Sequence, residues 1–492
     1  MADATLIGID IGTGAIKAVL MDLDGNPLAT FARPYPTARP RPGHVEQDAR
    51  DWMKGVLAAL DGFAKAHDLA GLVGIGLSSQ VNTHVFVDGK AEPLLPAMVW
   101  QDGRCGEDAA ALDARVTAEQ KTAWFGGPMP IDASHALARI AHVARLRPDL
   151  YARTRHVLLP KDFCALKLTG SVATDPIAAV GLVKGDLAYV DDLLDLVPGA
   201  RERLPPLADF THRVGTVRSG WPCAGAPVFV GAMDAWAGMF GVGVTRQHDA
   251  MYLSGTSEVL GVLSADRVPT PGVIVFPTYK GITLHVAPTQ SGGASLAWLS
   301  TLLGRDLDEL SMLVAGTPPS ASVPVFLPHL QGERAPLWDL SSRGVFARVD
   351  AGTGPGQLSR SVMEGVALSA RLAFEATEKS AGFTAERLNI GGGGARSDTW
   401  CQIRADAFGK VMRRVRVLDA GTLGAAIIAG LGAGAMPSLE AAVDQLVSFE
   451  RDFEPSPRMR GYYDAKFGKY QDLYADLKPF NAGFETAPSD DA

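Results

Sequence analysis

The sequence predicts an α/β fold built as two related domains that face each other across a cleft. Three observations predict it. The 492 residues exceed what one ordinary core holds, so two domains are expected. Apolar runs of strand length alternate with longer amphipathic runs through the second half. A short pattern also occurs twice, first as Ile7-Gly8-Ile9-Asp10-Ile11-Gly12-Thr13-Gly14-Ala15-Ile16-Lys17-Ala18-Val19 and again as Ala250-Met251-Tyr252-Leu253-Ser254-Gly255-Thr256-Ser257-Glu258-Val259-Leu260-Gly261-Val262. Each copy is an apolar run, a Gly-Thr-small turn and a second apolar run, which reads as a tight β-hairpin. The domain boundary is expected at 241–244, giving domains over 1–242 and 243–480 and a disordered tail over 481–492.

Composition narrows the function. Hydrophobic residues make up 47% and charged residues 20%, as in a soluble globular enzyme. The net charge of −8, without a Lys/Arg stripe, argues against a nucleic-acid partner. Cys105, Cys164, Cys223 and Cys401 are widely spaced, so neither a disulfide framework nor a zinc site is expected, and a reducing cytoplasm is the simplest compartment. No signal peptide is expected, because the first residues run directly into a strand. The small-apolar run 423–436 is too short and Gly-rich to span a bilayer, so no membrane partner is expected.

The elements follow in order. After the first hairpin, Asp22, Asp24 and Gly25 make a turn into a strand at 28–31. The Pro-rich stretch 33–43 must be extended. Residues 48–67 have helical periodicity, with Trp52, Val56, Leu57, Leu60 and Phe63 on one side. A buried strand at 72–77 ends at Ser78-Ser79-Gln80-Val81-Asn82-Thr83-His84, and a strand at 97–100 ends at Gln101-Asp102-Gly103-Arg104. Residues 106–208 read as largely helical. The strand 228–231 runs into Asp234 and a helix of small residues. The second half reads as helices at 291–303, 358–378, 400–408, 421–434 and 462–477, with strands at 325–328, 387–390 and 414–417.

Each hairpin tip offers amides and a hydroxyl to an anion, and glycine lets the backbone approach closely, so each is a candidate phosphate cradle. The position two before the turn glycine is Asp10 in the first copy and Leu253 in the second. Only the first hairpin thus offers a carboxylate to a magnesium ion. Ligands of α/β sheets lie beyond the C-terminal strand ends, where Gln80, Asn82, Asp102, Arg104 and Asp234 fall. Asp234 is either a helix-capping residue or a base that accepts a proton from a substrate hydroxyl. Asp10 near the phosphates and Asp234 near an acceptor suit metal-assisted phosphoryl transfer. Lys17 is either a solvated edge lysine or a phosphate contact. Gly391-Gly392-Gly393-Gly394-Ala395-Arg396-Ser397 follows a strand and reads as a flat shelf for a base or ribose, although it fits no dinucleotide fingerprint. Trp100 and Trp236 adjoin the candidate site and suit either sugar stacking or core packing. His84 reads as structural.

Together these residues resemble the FGGY carbohydrate kinases, and within them most the xylulokinase branch. The motifs are Gly8-Ile9-Asp10-Ile11-Gly12-Thr13, Trp100-x-Asp102-x-Arg104, Leu158-Leu159-Pro160-Lys161-Asp162, Gly231-x-x-Asp234, Ser254-Gly255-Thr256-Ser257, Leu327-Pro328-x-x-x-Gly332-Glu333-Arg334-x-Pro336, Gly392-Gly393-Gly394-Ala395-x-Ser397 and Leu423-Gly424-Ala425-Ala426. The resemblance implies two actin-like ATPase (ribonuclease H-like) domains with a central cleft, and ATP and Mg2+ as cofactors. It implies that Asp234 is the general base, that Asp10 helps hold the metal with ATP, that Thr13, Lys17, Gly255 and Thr256 face the phosphates, and that Gly392, Gly393, Ala395 and Ser397 border the adenosine. Gln80, Val81, Asn82, Trp100, Asp102 and Trp236 would border the sugar. The implied reaction is phosphorylation of a small keto-sugar, D-xylulose or another pentulose, at a terminal hydroxyl, and the family's habit implies a homodimer. The alternatives are another acceptor (ribulose, a tetritol or glycerol) and an actin-like ATPase without sugar kinase activity. Three departures bear on the acceptor. Gly14 stands where many members have Ser, Gln80-Val81-Asn82-Thr83 stands for Gln-Met-His-Gly, and Ala235-Trp236 follows Asp234 in place of Asn and a small residue.

Overall fold

The computed structural model describes residues 3–126 and 129–483. The chain divides into two compact units. The first comprises Met1–Gly243, Pro277–Gly281 and Asp419–Ser448, and the second Val244–Phe276, Ile282–Leu418 and Phe449–Ala492. The break after Gly243 falls within the expected boundary. The expected 243–480 domain, however, lends Asp419–Ser448 to the first unit. The reason is steric. A Cβ on Gly8 or Gly76 of the first sheet would lie 1.9 Å from Thr422 O or 1.8 Å from Ala425 O, so the helix Ala420–Gly432 rests with its backbone directly on those strands.

The strands of the first unit are β1 (Thr5–Ile11), β2 (Ala15–Asp22), β3 (Pro27–Pro34), β4 (Leu72–Ser79), β5 (Arg213–Thr216), β6 (Pro227–Phe229) and β7 (Ala232–Met233). They form one sheet in the order β3-β2-β1-β4-β6-β5, with β7 also paired to β4. β1 and β2 are antiparallel, whereas β4 runs parallel to β1 and β7 parallel to β4. β1 is a central strand, and Ile7, Ile9 and Ile11 are fully buried in it. The helix Ala49–Ala66 starts at Asp48, whose carboxylate caps it by accepting from Arg50 N at 2.9 Å. Its buried face of Trp52, Val56, Leu60 and Phe63 joins the core of the sheet. Residues 106–208 contribute short helices around a separate apolar cluster that includes Leu112, Ile140 and Leu193. The strand expected at 97–100 is only Ala97–Met98, paired with Glu46–Gln47.

The second unit holds β8 (Ala250–Ser254), β9 (Glu258–Leu263), β10 (Ile274–Val275), β11 (Leu284–Pro288), β12 (Arg387–Gly391), β13 (Val411–Val415) and β14 (Phe449–Phe453), in the order β10-β11-β9-β8-β12-β13-β14. β8 and β9 are antiparallel and β12 is parallel to β8, repeating the β2-β1-β4 arrangement of the first unit. β13 starts at 411 instead of 414. Met412 and Arg414 are buried while Val411 and Arg413 are half-buried, and the two arginines obscure that alternation in the sequence. Helix Pro355–Ala381 is buried along most of its length, and helix Arg460–Ala482 buries Tyr463, Phe467 and Tyr470 as the periodicity predicts. Of the expected tail, residues 481–483 complete this helix and its end, and 484–492 lie outside the described residues. Among the described residues no helix is long and apolar enough to cross a membrane, and the four cysteines are free thiols.

Candidate active site

The two hairpin tips share one construction. In the first, Gly12, Thr13 and Gly14 link β1 to β2, and all three carbonyls are satisfied from within the first unit. Tyr35 OH donates to Gly12 O, Gln47 Nε2 donates to Thr13 O at 2.7 Å, and Tyr35 N donates to Gly14 O at 3.3 Å. In the second, Gly255, Thr256 and Ser257 link β8 to β9. Gly293 N and Ala294 N, at the start of helix Gly293–Leu303, donate to Gly255 O and Thr256 O at 2.9 and 3.1 Å, and Gly255 N donates to Ser257 O at 3.0 Å. No hydrogen bond among the described residues uses the amides of Thr13 and Gly14, or of Thr256 and Ser257. Carbonyls held inward and amides left over make a nest for phosphate oxygens.

Beneath the first tip sits Asp10. It pairs in register with Lys17 on β2 and with Ser78 on β4. Its Oδ1 is buried without a hydrogen-bond partner among the described residues. Burial pushes its carboxyl up to about 6, with Lys17 pulling the other way. Lys17 Nζ is bound by Asp419 Oδ1 at 2.6 Å, and a Cβ on Gly421 would stand 2.8 Å from Asp10 Oδ2. The segment leading into helix Ala420–Gly432 therefore covers Asp10.

Asp234 opens the helix Asp234–Gly241 and is half-buried, with Oδ1 accepting from Ala235 N at 2.8 Å. An acid in the first turn meets the positive end of the helix dipole. Ser78 on β4 lies opposite both Asp10 and Ala232, so β1 and β7 flank β4 with their C-terminal ends together. At ~4.8 Å per strand their axes lie roughly 10 Å apart. The structure thus brings Asp10 and Asp234 to the same end of one sheet.

The acceptor candidates divide. Gln80 is buried, with Nε2 donating to Gln47 Oε1 at 2.9 Å and Oε1 accepting from Thr83 Oγ1 at 3.1 Å. Val81 and Asn82 are half-buried, and Asn82 adopts a φ of 53°. The buried Arg139 secures this segment by donating to Asn82 O at 2.5 Å and Val99 O at 2.7 Å. Burial, with Arg139 beside it, holds His84 well below its ordinary value, so this histidine is neutral and structural. Trp100 Nε1 donates to Thr13 Oγ1 at 3.1 Å.

Two candidates are placed otherwise than the sequence suggests. Asp102 is 2% exposed, and its oxygens accept from Val45 N at 2.6 Å and from Arg104 N, Nε and Nη2. Burial opposes the charge, but Arg104 and the Val45 amide hold the carboxyl below its ordinary value. The group is spent on fixing its own loop. Trp236 is fully buried and packs edge-on against Phe240 and tilted against Tyr279, so it supports the site from below instead of lining it.

In the second unit the glycine run follows β12. A Cβ on Gly392, at φ 94°, would lie 2.2 Å from Ser254 O, so only glycine fits there. Gly393 is exposed with open space above it. Ala395 is buried, leaving its backbone as its contribution, and its carbonyl accepts from Arg414 Nη1 at 3.1 Å. Ser397 Oγ caps helix Asp398–Phe408 and meets Ser311 Oγ at 2.8 Å. Under the second tip, fully buried Arg404 reaches Ser254 Oγ at 2.7 Å, Tyr252 OH at 3.1 Å and Glu258 Oε1 at 3.2 Å. Sequence reading missed Tyr35, Gln47, Asp419, Gly421, Glu258 and Arg404. Glu258, at the foot of the second hairpin, carried the one local signal. The others are remote in sequence from what they hold.

The chain was compared with known proteins. The N-terminal domain of the FGGY family of carbohydrate kinases matches residues 5–241, and the C-terminal domain of that family matches residues 250–433. The xylulose kinase of Escherichia coli strain K12 is 30% identical over 488 residues, covering 97% of this chain and all of the relative. The xylulose kinase of Lactococcus lactis subsp. lactis is 29% identical, covering 95% of this chain and 96% of the relative. The crystal structure of a xyloylose kinase from Brucella ovis superposes with a TM-score of 0.83 at 28% identity, covering 97% of this chain and all of that one. By these matches, the chain belongs to the FGGY family of carbohydrate kinases.

Proposed function

We propose that this carbohydrate kinase transfers the γ-phosphoryl group of ATP to a terminal hydroxyl of a small keto-sugar, D-xylulose or another pentulose. The observation that carries the reading is the pair of carboxylates in the first unit, Asp10 and Asp234, at the same end of one sheet and beside a hairpin tip with unused amides. The full-length similarity to xylulose kinases supports the choice of acceptor.

In this reading Asp234 accepts the proton of the acceptor hydroxyl as its oxygen attacks the γ-phosphorus. The new O–P bond forms while the bond to the ADP oxygen breaks, and the electron pair leaves on ADP. The amides of Thr13 and Gly14 are donors for phosphate oxygens, and the tip of the second unit at Gly255 and Thr256 carries unused amides of the same kind. Lys17 is a phosphate contact that Asp419 holds ready, and Gly392, Gly393, the Ala395 backbone and Ser397 border the adenosine. Asp10 fits magnesium because its buried Oδ1 has no other partner among the described residues. Asp10 and Asp234 are the carboxylates that would hold the ion, which when bound neutralises charge on the transferring group. Gln80, Val81, Asn82 and Trp100 border the acceptor, with Asp102 and Trp236 supporting them. The four free thiols suit a cytoplasmic setting. The partner is a small sugar rather than nucleic acid or membrane, and the family resemblance implies a homodimer.

The test is an ADP-release assay with magnesium across ketopentoses, tetritols, hexuloses and glycerol. D-xylulose or another pentulose is expected to give the largest stimulation, and Asp234→Ala to lower turnover at least ~100-fold while nucleotide binding persists. Stimulation only by a polyol outside the pentuloses would overturn the acceptor assignment, and near-normal turnover of Asp234→Ala would overturn the base.

A further inference from the structure

One residue outside the motifs ties the phosphate tip to the acceptor segment. Gln47 is 2% exposed and uses both ends of its amide. Its Nε2 donates to Thr13 O at 2.7 Å and to Thr37 Oγ1 at 2.8 Å, and its Oε1 accepts from Trp52 Nε1 at 3.1 Å and Gln80 Nε2 at 2.9 Å. From Gln80 the path continues. Gln80 Oε1 accepts from Thr83 Oγ1 at 3.1 Å, Thr83 Oγ1 accepts from Trp100 N at 3.1 Å, and Trp100 Nε1 returns to Thr13 Oγ1 at 3.1 Å. The result is a closed ring, Thr13–Gln47–Gln80–Thr83–Trp100, lying within the first unit.

The ring has a directional consequence. The Thr13–Gly14 peptide is planar, so its C=O and N–H point opposite ways. With Gln47 Nε2 holding the Thr13 carbonyl inward, the Gly14 N–H is presented on the other side, where no described group uses it. This matters most here, because Gly14 has no side-chain hydroxyl to offer in place of a misdirected amide. On its other side, Gln47 fixes Gln80, whose backbone N also donates to Ile11 O at the end of β1.

We propose that Gln47 is a positioning residue of the kinase, which through Thr13 and Gln80 couples occupancy of the acceptor segment to the aim of the phosphate-binding amide. The inference rests on the kinase reading above. An acceptor that orders Gln80 and Trp100 orders Thr13 through the ring, and nucleotide affinity rises. By thermodynamic reciprocity, nucleotide raises acceptor affinity by the same factor.

The test uses the full chain with Gln47→Glu and Gln47→Leu. Glutamate is nearly isosteric, yet its ionised side chain donates nothing to Thr13 O. Two quantities are read on the folded protein: kcat with the best acceptor, and the ratio of dissociation constants of a non-hydrolysable ATP analogue without and with acceptor. The wild type should give a ratio above about 5, the low end of typical coupling. Both variants should bring the ratio toward 1 and lower kcat by roughly 100-fold, the cost of a misplacement of about 1 Å. Thermal denaturation of each variant corrects for any unfolded fraction. Gln47→Leu combined with Gln80→Leu should be no worse than Gln80→Leu alone. A wild-type ratio of 1, an unchanged ratio and kcat in Gln47→Glu, or a loss accounted for wholly by unfolding would overturn the proposal. A wild type that turns over no sugar would instead reject the kinase reading. In that case the effect of the Gln47 variants on binding of the ATP analogue alone still reports whether the ring aims the tip.

Discussion

Gly424→Ala tests how the segment 419–448 is bound into the first unit. A Cβ at this position would lie 1.7 Å from Ala237 O and 2.5 Å from Ala237 C, where 3.4 Å is ordinary contact. The helix Ala420–Gly432 or the helix Asp234–Gly241 would have to retreat by about 1.7 Å. The obstacle is backbone, so no side-chain rotation relieves it. Overpacking by one methyl costs about 1–3 kcal/mol where side chains absorb it, and the upper end is the minimum expected here. For a unit of this size ~3 kcal/mol corresponds to a fall in Tm of roughly 6–12 °C. The displaced helices carry Gly421 beside Asp10 at one end and Asp234 at the other, so turnover should fall further than the unfolded fraction explains. Calorimetry and the ADP-release assay, run on the same preparation, read both effects. The solvent-exposed Gly62→Ala, in the helix Ala49–Ala66 with nothing within 4 Å of its Cβ, is the control and should gain up to ~1 kcal/mol. A Gly424→Ala protein with wild-type Tm and turnover would refute the backbone-on-backbone packing.

Two further outcomes follow from buried charges. Burial raises Asp10 from an ordinary 3.8 to about 6, so the folded chain keeps its proton to higher pH than the unfolded chain. The stability this gives is complete below pH 3.8 and is lost as pH rises past 6, a swing of ~3 kcal/mol at 1.36 kcal/mol per tenfold. Asp10→Asn should therefore be inactive yet more resistant to urea than wild type at pH 8 in EDTA, with the difference vanishing near pH 4; a difference that does not vary with pH rejects the buried carboxylate. Arg404→Met leaves Glu258 as an uncompensated buried charge and should cost about 3–5 kcal/mol, most of it restored by adding Glu258→Leu. Additive losses in urea unfolding of the double variant would show that the two groups do not act as a pair.

The fold was legible where period and punctuation agreed. Both hairpins, the helix over 48–67 and the tyrosine-rich C-terminal helix carry regular apolar spacing bounded by turn or capping residues, and each formed close to where it was expected. The transfer of Asp419–Ser448 to the first unit was not legible. It depends on glycines more than 300 residues away, Gly8 and Gly76, leaving room for a helix backbone. Sequence order carries no trace of that meeting. In the candidate site, Asp10 and Asp234 could be singled out because an acid beside a glycine turn, or at the end of an apolar strand, is chemically conspicuous. Gln47 could not, because it follows a Pro-rich loop and its four partners, Thr13, Thr37, Trp52 and Gln80, share no spacing. Trp236 misled for the opposite reason: its neighbour Asp234 suggested a ligand surface, while Phe240 and Tyr279 draw the indole into the core.

The two hairpins began from one pattern and were given different chemistry by what lies under them. Beneath the first, Asp10 keeps one buried oxygen unpartnered, while nearby Lys17 is engaged by Asp419. Such a carboxylate is costly to keep ionised in isolation and suits a cation that arrives with its substrate. Beneath the second, the equivalent position is Leu253, and the nearest acid, Glu258, is enclosed with Arg404. That tip carries amides and the hydroxyls of Thr256 and Ser257, groups that donate to an anion. A carboxylate at Leu253 would offer an anion repulsion where the second tip now offers donors. The asymmetry between Asp10 and Leu253 therefore gives the first tip a buried carboxylate and leaves the second with donors alone, a difference that the symmetric backbone alone does not provide.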